Sequence, residues 1–159
     1  MRAGDATAAY LAARTELLER SGPPGPDRRR ALTALTDDWL HALFVASGAA
    51  GQKISLVAIG GYGRGDLAPG SDLDVLLLHD ASVPVPEVTA MADRLWYPIW
   101  DSGLRLDHSV RAPAEARRLA ANDLRVVLGL LDARTIVGDE TITRSVRESI
   151  LNDWRALAP

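Results

Sequence analysis

The chain has 159 residues, 47% of them hydrophobic and 25% charged, with a formal net charge of −3 and no cysteine. One ordinary domain fits that length, and a domain of this size buries roughly 70% of its unfolded surface without needing a disulfide or metal staple. The composition excludes disorder and collagen-like structure. The lack of cysteine excludes thiolate zinc sites and cysteine nucleophiles, and the acidic balance argues against a general nucleic-acid partner.

The opening MRAGDATAAYLAARTELLER is too charged for a secretory signal, and no stretch approaches the ~20 apolar residues of a membrane span. A soluble, cytoplasmic protein with no membrane partner is expected. Tyr10, Leu11, Leu17 and Leu18 predict a helix over 5–20, closed by the breaker Ser21-Gly22-Pro23-Pro24-Gly25-Pro26. A second helix is predicted from about Asp27 to Ala46 on the stripe Leu32, Leu35, Trp39, Leu43. Then the period changes. Ile54 to Ile59 is a nearly continuous apolar run, which suits a strand buried on both faces.

The glycine-rich connection Gly60 to Gly70 leads into a second predicted strand, Asp72 to Leu78. A helix follows from about Val85 to Trp100 on Val88, Met91, Leu95 and Ile99, with Pro98 expected to kink or end it. Leu104 to Val110 alternates as a third strand, and Pro113 sits where a helix begins. Leu124, Val127, Leu128 and Leu131 mark another helical face. Arg134 to Val137 reads as a short strand, and Ile142, Val146, Ile150 and Trp154 line a last helix. The four tryptophans, Trp39, Trp96, Trp100 and Trp154, all fall on or near apolar helix faces and are read as core. This order predicts an α+β fold, a small mixed sheet flanked by helices, with N-terminal helices (1–50) packing on a core of 51–159.

The chemistry should sit between Gly60 and Asp74. Alternation puts Asp72 and Asp74 on one face at the start of an otherwise apolar strand, where two carboxylates repel. A divalent cation resolves that conflict, and hard oxygen ligands on a rigid strand suit Mg²⁺; the alternative is a solvated strand entrance. Gly60-Gly61, directly after a buried strand, lets the backbone approach a ligand and offers N–H groups to phosphate oxygens. If Tyr62 to Leu67 forms a helical turn, its start favours an anion, with Arg64 pairing to a polyphosphate and Ser71 donating a hydroxyl bond. The segment is neither a P-loop, since the Gly-Lys-Ser/Thr ending is missing and Lys53 is the sole lysine, nor a Gly-x-Gly-x-x-Gly dinucleotide turn. A third carboxylate is expected from the neighbouring strand. Asp107 is the candidate, as a base or metal ligand, with an ion pair to Arg105 or Arg111 as the alternative. His108 falls on the apolar side of that strand, and His41 is read as packing or surface.

Gly-Gly, about ten residues, then Ser-Asp-x-Asp on the next strand resembles the nucleotidyltransferase superfamily typified by DNA polymerase beta. Val57 to Leu67, Pro69, Ser71 to Asp74, Leu95-Trp96, Trp100-Asp101, Gly103-Leu104 and His108-Ser109-Val110-Arg111 look like the catalytic domain of the PII uridylyltransferase/uridylyl-removing family, over about residues 30–140. The resemblance implies UMP transfer from UTP, or AMP transfer from ATP as in actinobacterial relatives, to a tyrosine of the nitrogen-signalling protein PII. It implies that Gly60, Gly61, Arg64 and Ser71 bind the triphosphate and that Asp72 and Asp74 bind Mg²⁺. Family enzymes are several times longer, carrying phosphohydrolase and ACT domains not encoded here, so a fragment or a stand-alone relative, without removal activity or glutamine control, is expected. Many members carry glycine at the position of Asp107. The alternatives are a small nucleotidyltransferase acting on an antibiotic or a toxin, and a non-catalytic nucleotide-binding module.

Overall fold

The computed structural model describes residues 2–20 and 25–157. Its elements run α1 (Ala3–Glu19), α2 (Pro26–Ser47), β1 (Ile54–Ala58), α3 (Gly60–Gly63), β2 (Leu73–His79), α4 (Val85–Asp101), β3 (Leu106–Arg111), α5 (Pro113–Ala120), α6 (Leu124–Leu131), β4 (Arg134–Gly138) and α7 (Glu140–Leu157). Of the predicted breaker, Ser21 to Pro24 lie outside the described residues.

The four strands form one mixed sheet in the order β3-β2-β1-β4. β1 is antiparallel to β2 and β4, while β2 and β3 are parallel and joined through α4. Both faces are covered, which is why β1 and β2 read as continuous apolar runs. Ile54, Leu56, Ala58, Leu73, Val75 and Leu77 pack with α1, α2 and α4; Val57, Leu76 and Leu78 pack with α5, α6 and α7. The polar exception in β1, Ser55, is fully buried but bonded at 3.0 Å to Thr143 of α7, which also bonds Thr135 of β4 at 2.9 Å. That hydroxyl chain satisfies groups whose burial would otherwise be costly. The α+β architecture with its small mixed sheet is therefore as the sequence predicts. No helix of the described residues is long and apolar enough to cross a membrane.

α4 runs through Pro98 to Asp101, so of the two outcomes expected for that proline it does not end the helix. Two local expectations fail. The face of α6 is rotated: Val127 and Leu130 are buried, whereas Leu124 and Leu128 are 65% and 54% exposed. Trp154 is 55% exposed and Trp100 is also exposed, leaving Trp39 and Trp96 as the core tryptophans. Periodicity identifies a helix's apolar residues, but not how many its neighbours can cover; α6 and α7 pack on one sheet face whose capacity is filled by Val127, Leu130, Ile142, Val146 and Ile150.

Candidate active site

Along one face of β2 the side chains run Asp72, Asp74, Leu76, Leu78. The last two are buried under the α5–α7 layer, Asp74 is half-buried, and Asp72, just before the strand, is exposed. The acidic pair thus occupies the end of the strand that the helices leave open. Asp74 lies in register with Asp107 of β3 in a parallel pair, so both carboxylates stand on that same face. Burial pushes the Asp74 carboxyl above its usual range, and the negative charges of Asp107 and Asp72 push it further. Both of the other predicted carboxylates therefore act on Asp74.

They are not fully enclosed. Asp72 pairs with Arg105 at 2.7 Å, and among the described residues no three acidic or imidazole groups close around a common point. Arg105 also donates to the Gly70 carbonyl, tying together the loop and the start of β3. Neither ion pair considered for Asp107 forms: Arg105 takes Asp72, Arg111 takes Glu115 at 3.1 Å, and Asp107 stays exposed without a salt bridge among the described residues.

The glycine turn abuts this set. The helical turn begins at Gly60 rather than at Tyr62, because Gly63 N–H already bonds to the Ile59 carbonyl at 3.0 Å. The N–H groups of Gly60, Gly61 and Tyr62 precede the first N–H that donates within the turn, that of Gly63. Gly60 has φ +57°, in the left-handed region that favours glycine, and a Cβ there would lie 3.5 Å from Asp74 Oδ2. Gly63 is required by space: its Cβ would lie 2.2 Å from the Asp132 carbonyl oxygen and 3.0 Å from that of Ala58. The end of α6 is thus wedged against the turn.

Of the other predicted residues, Arg64 lies beside Gly61, its guanidinium bonded to the Asp132 carboxylate. Ser71 is exposed at the mouth of β2, its N–H on the Ala68 carbonyl at 3.0 Å. His108 packs between Trp96 and Trp100, with ring centroids at 5.0 and 5.5 Å, on the sheet face away from the carboxylates. His41 is exposed on α2. Sequence reading missed Asp37, Arg134 and Tyr62, which meet behind the turn. Tyr62 hydroxyl donates to Asp37 Oδ1 at 2.7 Å, and Arg134 Nη1 donates to Asp37 Oδ2 at 2.7 Å. The signal available was Arg134 itself, a charge opening an apolar strand, the same anomaly that singled out Asp72 and Asp74.

The strand–glycine turn–strand unit, with Asp72 just before the second strand and Asp74 on it, falls within the part of the chain that matches a known family. Residues 46–128 match the nucleotidyltransferase domain family, and the chain belongs to it. Within that class it is 57% identical over 150 residues to the bifunctional uridylyltransferase/uridylyl-removing enzyme of Streptomyces coelicolor, covering 94% of this chain and 18% of that one. The enzyme of the same name from Mycobacterium tuberculosis H37Rv is 48% identical over 101 residues (64% of this chain, 12% of that one). That from Gluconobacter oxydans is 38% identical over 133 residues (81% and 14%). The chain therefore spans less than a fifth of the length of these relatives.

Proposed function

We propose that this chain transfers UMP from UTP, or AMP from ATP, to a tyrosine hydroxyl of the nitrogen-regulatory PII protein in the cytoplasm, releasing pyrophosphate. The observation that carries the reading is Asp74, half-buried, in register with Asp107, in the field of Asp72 and against Gly60. The names of the relatives support uridylyl transfer, and the charge set supports a cation. Asp72, Asp74 and Asp107 are the residues that would hold Mg²⁺. Their donor chemistry fits it, since a hard dication offsets the burial and the neighbouring negative charges that together raise Asp74. When bound, Mg²⁺ neutralises charge on the attacking and leaving oxygens of an in-line displacement.

The protein's own groups do the rest. Gly60 and Gly61 offer backbone N–H groups to the triphosphate, Arg64 exchanges Asp132 for a phosphate oxygen, and Ser71 donates its hydroxyl. The acceptor phenol attacks the α-phosphorus, its proton passes to Asp107, the new phosphorus–oxygen bond forms, and the bond to the β-phosphate oxygen breaks.

Incubating the chain with PII, Mg²⁺ and labelled UTP or ATP tests this. Label on a PII tyrosine, lost in Asp74→Asn, is the expected result. Nucleotide binding without transfer to any acceptor would indicate a binding module instead, and label on an antibiotic or toxin but not on PII would indicate the small-nucleotidyltransferase alternative.

A further inference from the structure

The turn that abuts Asp74 is held from behind by a charged brace. Arg134 opens β4 and reaches four acceptors: both oxygens of Asp37, at 2.7 and 3.2 Å, the Gly63 carbonyl at 3.3 Å and the Tyr62 carbonyl at 3.4 Å. Those two carbonyls end the short turn; the Tyr62 carbonyl also accepts from Gly65 N–H at 3.0 Å, and the guanidinium adds a second donor there and a donor to the Gly63 carbonyl. Tyr62 closes the circuit. Its ring is buried 5.6 Å from the guanidinium, and its hydroxyl donates to the same Asp37 carboxylate. One turn earlier on α2, Thr33 accepts from Leu67 N–H at 3.2 Å and donates to the Gly65 carbonyl at 3.1 Å. Thr33 and Asp37, four residues apart and so on one helix face, together fix the backbone from Tyr62 to Leu67.

A network of directed bonds is a poor way to add stability, because apolar packing of the same volume often does as well. What it adds is orientation. We propose that Asp37 and Arg134 are positioning residues that hold the Gly60–Gly61 backbone in the geometry that receives the nucleotide's triphosphate, independently of its base. This rests on the nucleotidyl-transfer reading. It extends that reading to two residues outside the 46–128 segment that matches the family, and it gives α2 a part in substrate binding.

The test is calorimetric titration of the full chain with UTP, ATP and inorganic tripolyphosphate, each with Mg²⁺, at a temperature where melting curves show every variant folded. Asp37→Ala and Arg134→Lys are expected to weaken all three by about 10-fold. Asp37→Asn, which keeps an acceptor for Tyr62, is expected to recover part of the loss. Combining Asp37→Ala with Arg134→Lys should cost little more than either alone, because the two act as one unit. A folded Asp37→Ala and a folded Arg134→Lys that bind all three probes like wild type would overturn the inference while leaving the reading intact. Should Asp37→Ala not fold, Arg134→Lys and Tyr62→Phe carry the same comparison. Wild-type protein that binds none of the probes would overturn both.

Discussion

Two charge clusters flank the glycine turn, and they are built on opposite principles. Behind it, Asp37, Arg134 and Tyr62 satisfy one another through bonds of 2.7–3.2 Å, and Arg64 and Asp132 pair alongside. In front, Asp72, Asp74 and Asp107 share one sign; Arg105 offsets only Asp72, and Asp74 is held above its ordinary range by burial and by its neighbours. The first cluster is balanced within the fold as it stands. The second is left uncompensated, and carboxylates perturbed in this way cluster at functional sites. A charge balanced by its surroundings is therefore a different kind of residue from one left for something else to balance.

The largest expected effect breaks the front cluster. Asp74→Asn or Asp72→Asn should lower PII labelling at least ~10³-fold, about 4 kcal/mol of transition-state stabilisation, as read by initial rates. Stability should move the other way for Asp74→Asn. In the folded protein the Asp74 carboxyl holds its proton to higher pH than in the unfolded chain, so stability falls as pH rises through the carboxylate range. In metal-free buffer the Asp74→Asn melting temperature should therefore match wild type at acid pH and exceed it once Asp74 is ionised.

Breaking the back cluster should lower stability instead of raising it. Gly63→Ala forces a Cβ against the Asp132 carbonyl, and Asp37→Ala strands Arg134; each should cost about 1–3 kcal/mol in denaturant unfolding. The smallest effect belongs to the pair nearer solvent. Arg64 is more than half exposed, so Arg64→Ala should change unfolding free energy by less than about 1 kcal/mol while weakening nucleotide binding. If Arg64→Ala instead destabilised as much as Asp37→Ala, the division between balanced and available charges would fail at that residue.

The front cluster was legible in the sequence because its residues violate a local rule: Asp72 and Asp74 interrupt an apolar strand, and Gly60-Gly61 follows one directly. Asp107 was legible by alternation once its strand was recognised, and the register of β2 with β3 then set it beside Asp74. The back cluster was not. Asp37 sits on an exposed-looking stretch of α2 and acquires meaning only when β4, nearly 100 residues later, brings Arg134 to it at 2.7 Å. The same limit rotated α6, where Leu124 and Leu128 share the helical period of the core yet face outward. Long-range pairing decided both.

Thermal unfolding of wild type and Asp74→Asn, with and without Mg²⁺, tests the central claim most directly. The account expects Mg²⁺ to raise the melting temperature of wild type and to leave Asp74→Asn, already relieved of its repulsion, where it was. An equal Mg²⁺ response in both proteins, or none in wild type, would contradict it.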